Sequence, residues 1–203
     1  MTSAHISIIP EFVDKLKLMG QLENFEVTKD SIICKSTGSK MIFRGIKSSS
    51  GDQTANLKSL AGVTTWILDE AEELIDEKIF DTIQLSVRAN DRQNRIILIM
   101  NPASKVHWIY KRFFEDEGVR PGSNITHNDT TYIHTTYRDN IKNLPASFIN
   151  DIEKIKIKNP VKFNHIILGG WMDVAEGVIF NNWKLGEFNN ELEYGYGLDF
   201  GFS

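Results

Sequence analysis

Two apolar runs, VTTWILD at 63–69 and RIILIMNP at 95–102, constrain what this chain can fold into more than any other feature. Between them IFDTIQLSV at 79–87 carries helical spacing, so the segment reads strand, helix, strand. Near-continuous apolar strands joined by a helical connection predict a parallel pair buried on both faces. That is the βαβ logic of an α/β domain, and α/β with parallel core strands is the expected class.

The flanking sequence supplies further elements. From Pro10 onward, EFVDKLKLMG puts Phe12, Val13, Leu16 and Met19 on one helical face, with Gly20 as a stop. FEVTKD, SIICKS and KMIFRGI, within 25–46, are short and rich in strand formers, and read as a meander. The polar stretch 47–62 reads as a loop long enough to be functional. After the second apolar strand, a helix is expected near His107–Glu117, a turn-rich stretch over GVRPGSNITHND, a strand over 130–137 and a Lys-rich helix near Pro145–Lys158.

Composition narrows the function classes. Hydrophobic residues at 41% and charged residues at 25% match a soluble globular chain of 203 residues with an adequate core. A net charge of −4 provides no chain-wide basic field for nucleic acid, although a local strip would not show in that sum. Cys34 is the single cysteine, which excludes an internal disulfide. The first residues lack the basic and apolar regions of a signal peptide, and no run nears the ~20 apolar residues that cross a bilayer. A soluble, cytoplasmic protein is expected.

Chemistry concentrates at the ends of the two apolar strands. TWILDEAEEL places Asp69, Glu70, Glu72 and Glu73 directly after a strand. An apolar strand closing in Asp-Glu has the form of a Walker B element, in which the Asp holds Mg²⁺ and the next carboxylate polarises the attacking water. The same residues also fit a helix start, with Asp69 as N-cap and the glutamates favouring the positive end of the dipole. For Glu72 and Glu73 the helix-start reading is preferred. Asn101 ends the second strand, where a parallel neighbour delivers a polar side chain to the same sheet edge. It could contact a γ-phosphate or the attacking water, or cap the turn before Pro102.

Taken in order, MIFRGIK, LKSLAGVTTWILDEAEEL, RIILIMNPAS with HWIYKRFF, TTYRDN, LGGWMDVAEGVIF and GLDFGFS resemble the large subunit of tailed-phage terminases, from about residue 35 to the end. The resemblance implies a P-loop NTPase (RecA-like) domain followed by an RNase H-like nuclease domain. The complete protein would couple hydrolysis of ATP, with Mg²⁺, to packaging of double-stranded viral DNA, and would cut concatemers. Its implied partners are the terminase small subunit, the portal protein and further copies in a homo-oligomeric ring in the host cytoplasm, with no membrane. It implies Asp69 as metal ligand, Glu70 as catalytic carboxylate, Asn101 in the motif coupling hydrolysis to motion, and Asp199 as the first metal-binding acid of the nuclease. Lys58 falls near a basic residue that in some terminases stabilises phosphate charge across a subunit boundary, although a solvated loop lysine is the preferred reading. The implied division is 1–173 ATPase, 174–194 linker and 195–203 nuclease start.

Other features carry less. No GxxxxGK[ST] phosphate cradle occurs, and its nearest imitation, STGSKM at 36–41, reads as a hairpin turn. By the resemblance, the chain begins after the P-loop and reaches one strand into the nuclease. Lys154, Lys156, Lys158 and Lys162 form a phosphate-facing stripe only if a helix continues through Pro160, so a solvated face is expected. The histidines lack metal-ligand spacing. A non-catalytic prophage remnant or split-gene interaction module is the alternative. A helicase-like ATPase explains 65–102 but leaves TTYRDN, EGVIF and GLDFGFS unexplained.

Overall fold

A computed structural model describes residues 4–44, 62–90 and 92–173, with side chains from residue 8 onward. Lys58, Asp199, nearly all of the 47–62 loop and the expected linker and nuclease strand lie outside the described residues. The chain divides into two units, Met1–Asn101 and Pro102–Ser203.

The first unit opens with helix α1, Ala4–Leu18, which contains Pro10 rather than starting after it. It stops at Gly20, whose φ of 64° lets the Gly20 N–H donate to the Lys17 carbonyl and the Gln21 N–H to the Leu16 carbonyl. Ile9 joins Ile32 and Phe43 in a buried cluster against which Phe12 and Val13 pack, and Leu16 is also buried. Met19 does not share that face: it lies beyond the helix end and is 69% exposed.

Strands β1 (Phe25–Val27), β2 (Ser31–Cys34) and β3 (Lys40–Ile42) form the expected antiparallel meander. The β2–β3 connection is a hairpin turn: the Cys34 carbonyl accepts from Gly38 at φ 68°, and the Cys34 N–H donates to Ser39. STGS, at 36–39, is thus a turn between paired strands, and Lys40 and Met41 already belong to β3.

Strands β4 (Thr65–Leu68) and β5 (Arg95–Leu98) pair in parallel, with Ile67 opposite Ile97 and Leu68 opposite Leu98. Helix α2, Glu77–Gln84, connects them, and its N-cap is Asp76, whose carboxylate accepts from the Lys78 N–H at 2.9 Å. The buried α2 residues are Phe80 and Ile83, and the Phe80 ring lies 5.7 Å from that of Trp66. Among the described residues, burial on both faces is not seen. Side chains alternate across a strand, and Ile67, Ile97 and Ile99, on the face opposite Trp66 and Leu68, are 51%, 41% and 51% exposed.

In the second unit helix α3, Trp108–Tyr110, is capped by His107 and runs into a π-helical turn over Lys111–Glu115. Strands β6 (Ile125–His127) and β7 (Thr130–Tyr132) make a hairpin whose turn holds Asn128 at φ 51°. The expected strand over 130–137 therefore ends early, and part of the turn-rich stretch is its partner. In TTYRDN, Thr136 and Asp139 form a capping box that opens the 3₁₀ segment Tyr137–Asn143. The Thr136 backbone N–H holds the Asp139 carboxyl below its ordinary pKa.

Helix α4, Ala146–Lys158, ends at Asn159, and α5, Pro160–Lys162, starts afresh with Pro160 in its first turn before a π-helical turn over Phe163–Ile167. No helix continues through Pro160. Lys154 pairs with Asp151 at 2.8 Å and Lys156 with Glu153 at 3.2 Å, so these lysines lie on a solvated face. Residues 168–173 pack back within the unit: Ser104 bridges Met172, and Trp171 packs against Tyr110 and Phe114 with ring centroids 5.2 and 5.6 Å apart. At Gly170 a Cβ would lie 2.5 Å from Asn164 Nδ2 and 3.0 Å from the Asn164 carbonyl oxygen, so any side chain there would force Asn164 to shift. Among the described residues no helix is long and apolar enough to cross a membrane.

Candidate functional site

Asp69, Glu70 and Asn101 all lie beyond the carboxyl ends of the two parallel strands, the edge where open α/β sheets place ligands. The backbone there departs from a regular ladder. Ile99 donates its N–H to the Leu68 carbonyl at 2.9 Å and accepts at its own carbonyl from the Ala71 N–H, also at 2.9 Å. In a regular parallel ladder the second bond would come from Glu70, so one extra residue is looped out.

Glu70 absorbs that extra residue in a left-handed conformation, φ 53° and ψ 48°. For a non-glycine residue such a conformation costs about 1–2 kcal/mol. Its N–H, displaced from the ladder, donates instead to Asp69 Oδ1 at 3.2 Å. Both carboxylates are exposed, while Ala71, which resumes the ladder, is fully buried. The local fold thus presents two adjacent acids to solvent on a backbone fastened to the neighbouring strand.

Asp69 does not open a helix. The turn after Glu70 is a single 3₁₀ segment, Ala71–Glu73, and α2 has its own cap at Asp76. Glu72, assigned from sequence to a helix start, instead accepts a hydrogen bond from Asn101 Nδ2 to its Oε1 at 3.3 Å. This bond joins the ends of β4 and β5 across 29 residues of sequence. A polar residue just past each of two paired strands was the available signal for it. Asp69, Glu70 and Asn101 therefore share one sheet edge, with Glu72 added to them.

A family model described as phage terminase large subunit matches residues 1–170. The chain belongs to the phage terminase large subunit family. Among solved structures, this terminase chain is similar to the large terminase of a thermophilic bacteriophage, with a TM-score of 0.55 at 16% identity over 81% of the chain. A second structure of that phage protein, in complex with ADP, aligns over the same share at 18% identity with a TM-score of 0.49. The first likeness supports the α/β fold with a parallel sheet. The terminase chain spans about two fifths of the phage protein's length, 39% and 38% in the two structures. No curated protein matches it.

Proposed function

We propose that the ends of β4 and β5 are part of an ATP-hydrolysis site in a terminase motor that packages double-stranded viral DNA. The observation that carries this reading is the looped-out Asp69–Glu70 pair, held at the carboxyl edge of a parallel sheet beside Asn101. Holding a non-glycine residue in a left-handed conformation is costly, and such strain clusters at functional sites. Glu70 would polarise the attacking water, and Asn101 would contact that water or the terminal phosphate.

Mg²⁺ fits Asp69. Among the described residues no three acidic, histidine or cysteine side chains gather to hold a metal. Mg²⁺ in phosphate-transfer sites asks for less, one or two carboxylates with substrate phosphates and retained waters. One exposed carboxylate with an oxygen fixed by a backbone N–H meets that requirement. The ion, when bound with nucleotide, would neutralise charge building on the phosphates.

The remaining roles follow the family. Residues 1–173 would belong to the ATPase domain, 174–194 to a linker and 195–203 to the start of an RNase H-like nuclease, with Asp199 its first metal-binding acid. Lys58 is the candidate for phosphate-charge stabilisation. Small subunit, portal protein and further copies of the chain would be its partners in the host cytoplasm.

The 203 residues contain no GxxxxGK[ST] cradle, so the purified chain is expected to show no ATP turnover above background. Combined with a P-loop-bearing portion of the subunit, it should give DNA-stimulated turnover that depends on Glu70. Phosphate release assays on both samples decide this. Glu70-dependent turnover by the chain alone would overturn the reading of a shared site. No turnover in the combined sample would favour a non-catalytic remnant.

A further inference from the structure

We propose that Glu72 is a positioning residue that fixes which end of the Asn101 carboxamide faces the reaction, making Asn101 a hydrogen-bond acceptor for water rather than a donor to phosphate. This rests on the hydrolysis site proposed above and decides between the two roles left open for Asn101.

A carboxamide presents two donors on nitrogen and an acceptor on oxygen, and rotation by half a turn exchanges them at little cost unless a neighbour discriminates. A carboxylate accepts only. Glu72 Oε1, 3.3 Å from Asn101 Nδ2, therefore selects the rotamer with the NH₂ group toward the 3₁₀ turn and Oδ1 turned away from it. The negative charge at Glu72 also opposes close approach of a phosphate oxygen from that side. Glu72 is suited to the task because its backbone is held: it follows Ala71, which is fully buried and bonded to Ile99, and precedes the buried Leu74. Asn101 stands two positions after the same Ile99. Both partners are thus indexed to Ile99, the residue just after β5.

Two measurements test the role of Glu72. In the 203-residue chain, ¹⁵N-resolved signals of the Asn101 side-chain NH₂ should shift toward free-amide positions in Glu72→Ala and stay near wild type in Glu72→Gln, whose amide oxygen still accepts. An Asn101 signal unmoved by Glu72→Ala in a folded chain would overturn the proposal. In the P-loop-complemented subunit, Glu72→Ala should lower kcat on the order of 10-fold with KM for ATP unchanged, as expected when a reacting group is misplaced while substrate binding is intact. Glu72→Gln should recover most of that loss. Equal loss in both variants together with a raised KM would indicate a structural role and overturn the proposal. Glu70→Gln is the control that separates the two readings. If it leaves turnover intact, the hydrolysis site itself is refuted; if it abolishes turnover while Glu72→Ala keeps wild-type kcat, the role of Glu72 alone fails.

Discussion

Replacing Glu70 by Gln in the P-loop-complemented subunit is expected to lower ATP turnover by on the order of 10²–10⁴-fold while nucleotide affinity stays unchanged. Gln matches Glu in size and keeps the backbone N–H that donates to Asp69 Oδ1, so the looped-out turn should persist. What is lost is the charge and basicity that orient and activate water. Fluorescent-nucleotide titration beside phosphate release separates the two quantities. Affinity lost together with turnover would assign Glu70 a structural part in the turn. The reciprocal variant is Asp199→Ala. Two-metal cleavage needs several carboxylates around its ions, and removing one should abolish DNA cutting by a subunit carrying the whole nuclease while leaving ATP turnover intact. Persistent cutting would exclude Asp199 from that site.

Phe80→Ala is expected to destabilise the chain by about 3–5 kcal/mol, the usual cost of truncating a buried aromatic side chain. Phe80 is 1% exposed, and its packing on Trp66 ties α2 to the covered face of the β4–β5 pair. Small domains hold only about 5–15 kcal/mol in total, so the loss is a large share of stability. With a denaturant slope of about 2 kcal/mol per M, the urea midpoint should fall by roughly 2 M. Circular dichroism during urea unfolding measures it. A loss below about 1 kcal/mol would mean the neighbourhood repacks and α2 is not the main cover of that face.

These expectations rest on parts of the molecule that were unequally legible from sequence. The parallel pair was readable because TWIL and RIIL are apolar, bounded runs separated by an amphipathic helix. The meander was readable because Asp30 and Gly38 mark its turns. The β6–β7 hairpin was not: Ile125–His127 is exposed along its length and carries no alternation that a buried face would impose. The role of Glu72 was hidden for another reason. Four acids in five positions look alike in one dimension, and only the pairing of Leu68 with Leu98 brings Glu72 near a residue so distant in sequence. The helix-start reading holds only for a single 3₁₀ turn, Ala71–Glu73, with Glu70 rather than Asp69 before it, and the longer helix begins separately at Asp76. Burial on both sheet faces was inferred from apolar content, which does not specify what covers a strand.

The two hydrogen bonds of Ile99 have a mechanical consequence. They clamp both ends of the acidic turn to a single residue of the neighbouring strand, so the turn has no slack of its own. A sliding displacement of β5 against β4 would strain the turn between its two bonds to Ile99, whereas a tilt of α2 would reach it only through the intervening 3₁₀ segment. The acids are thus bound to both strands, covalently to β4 and by hydrogen bonds to the residue after β5, and shear between the strands acts on them directly.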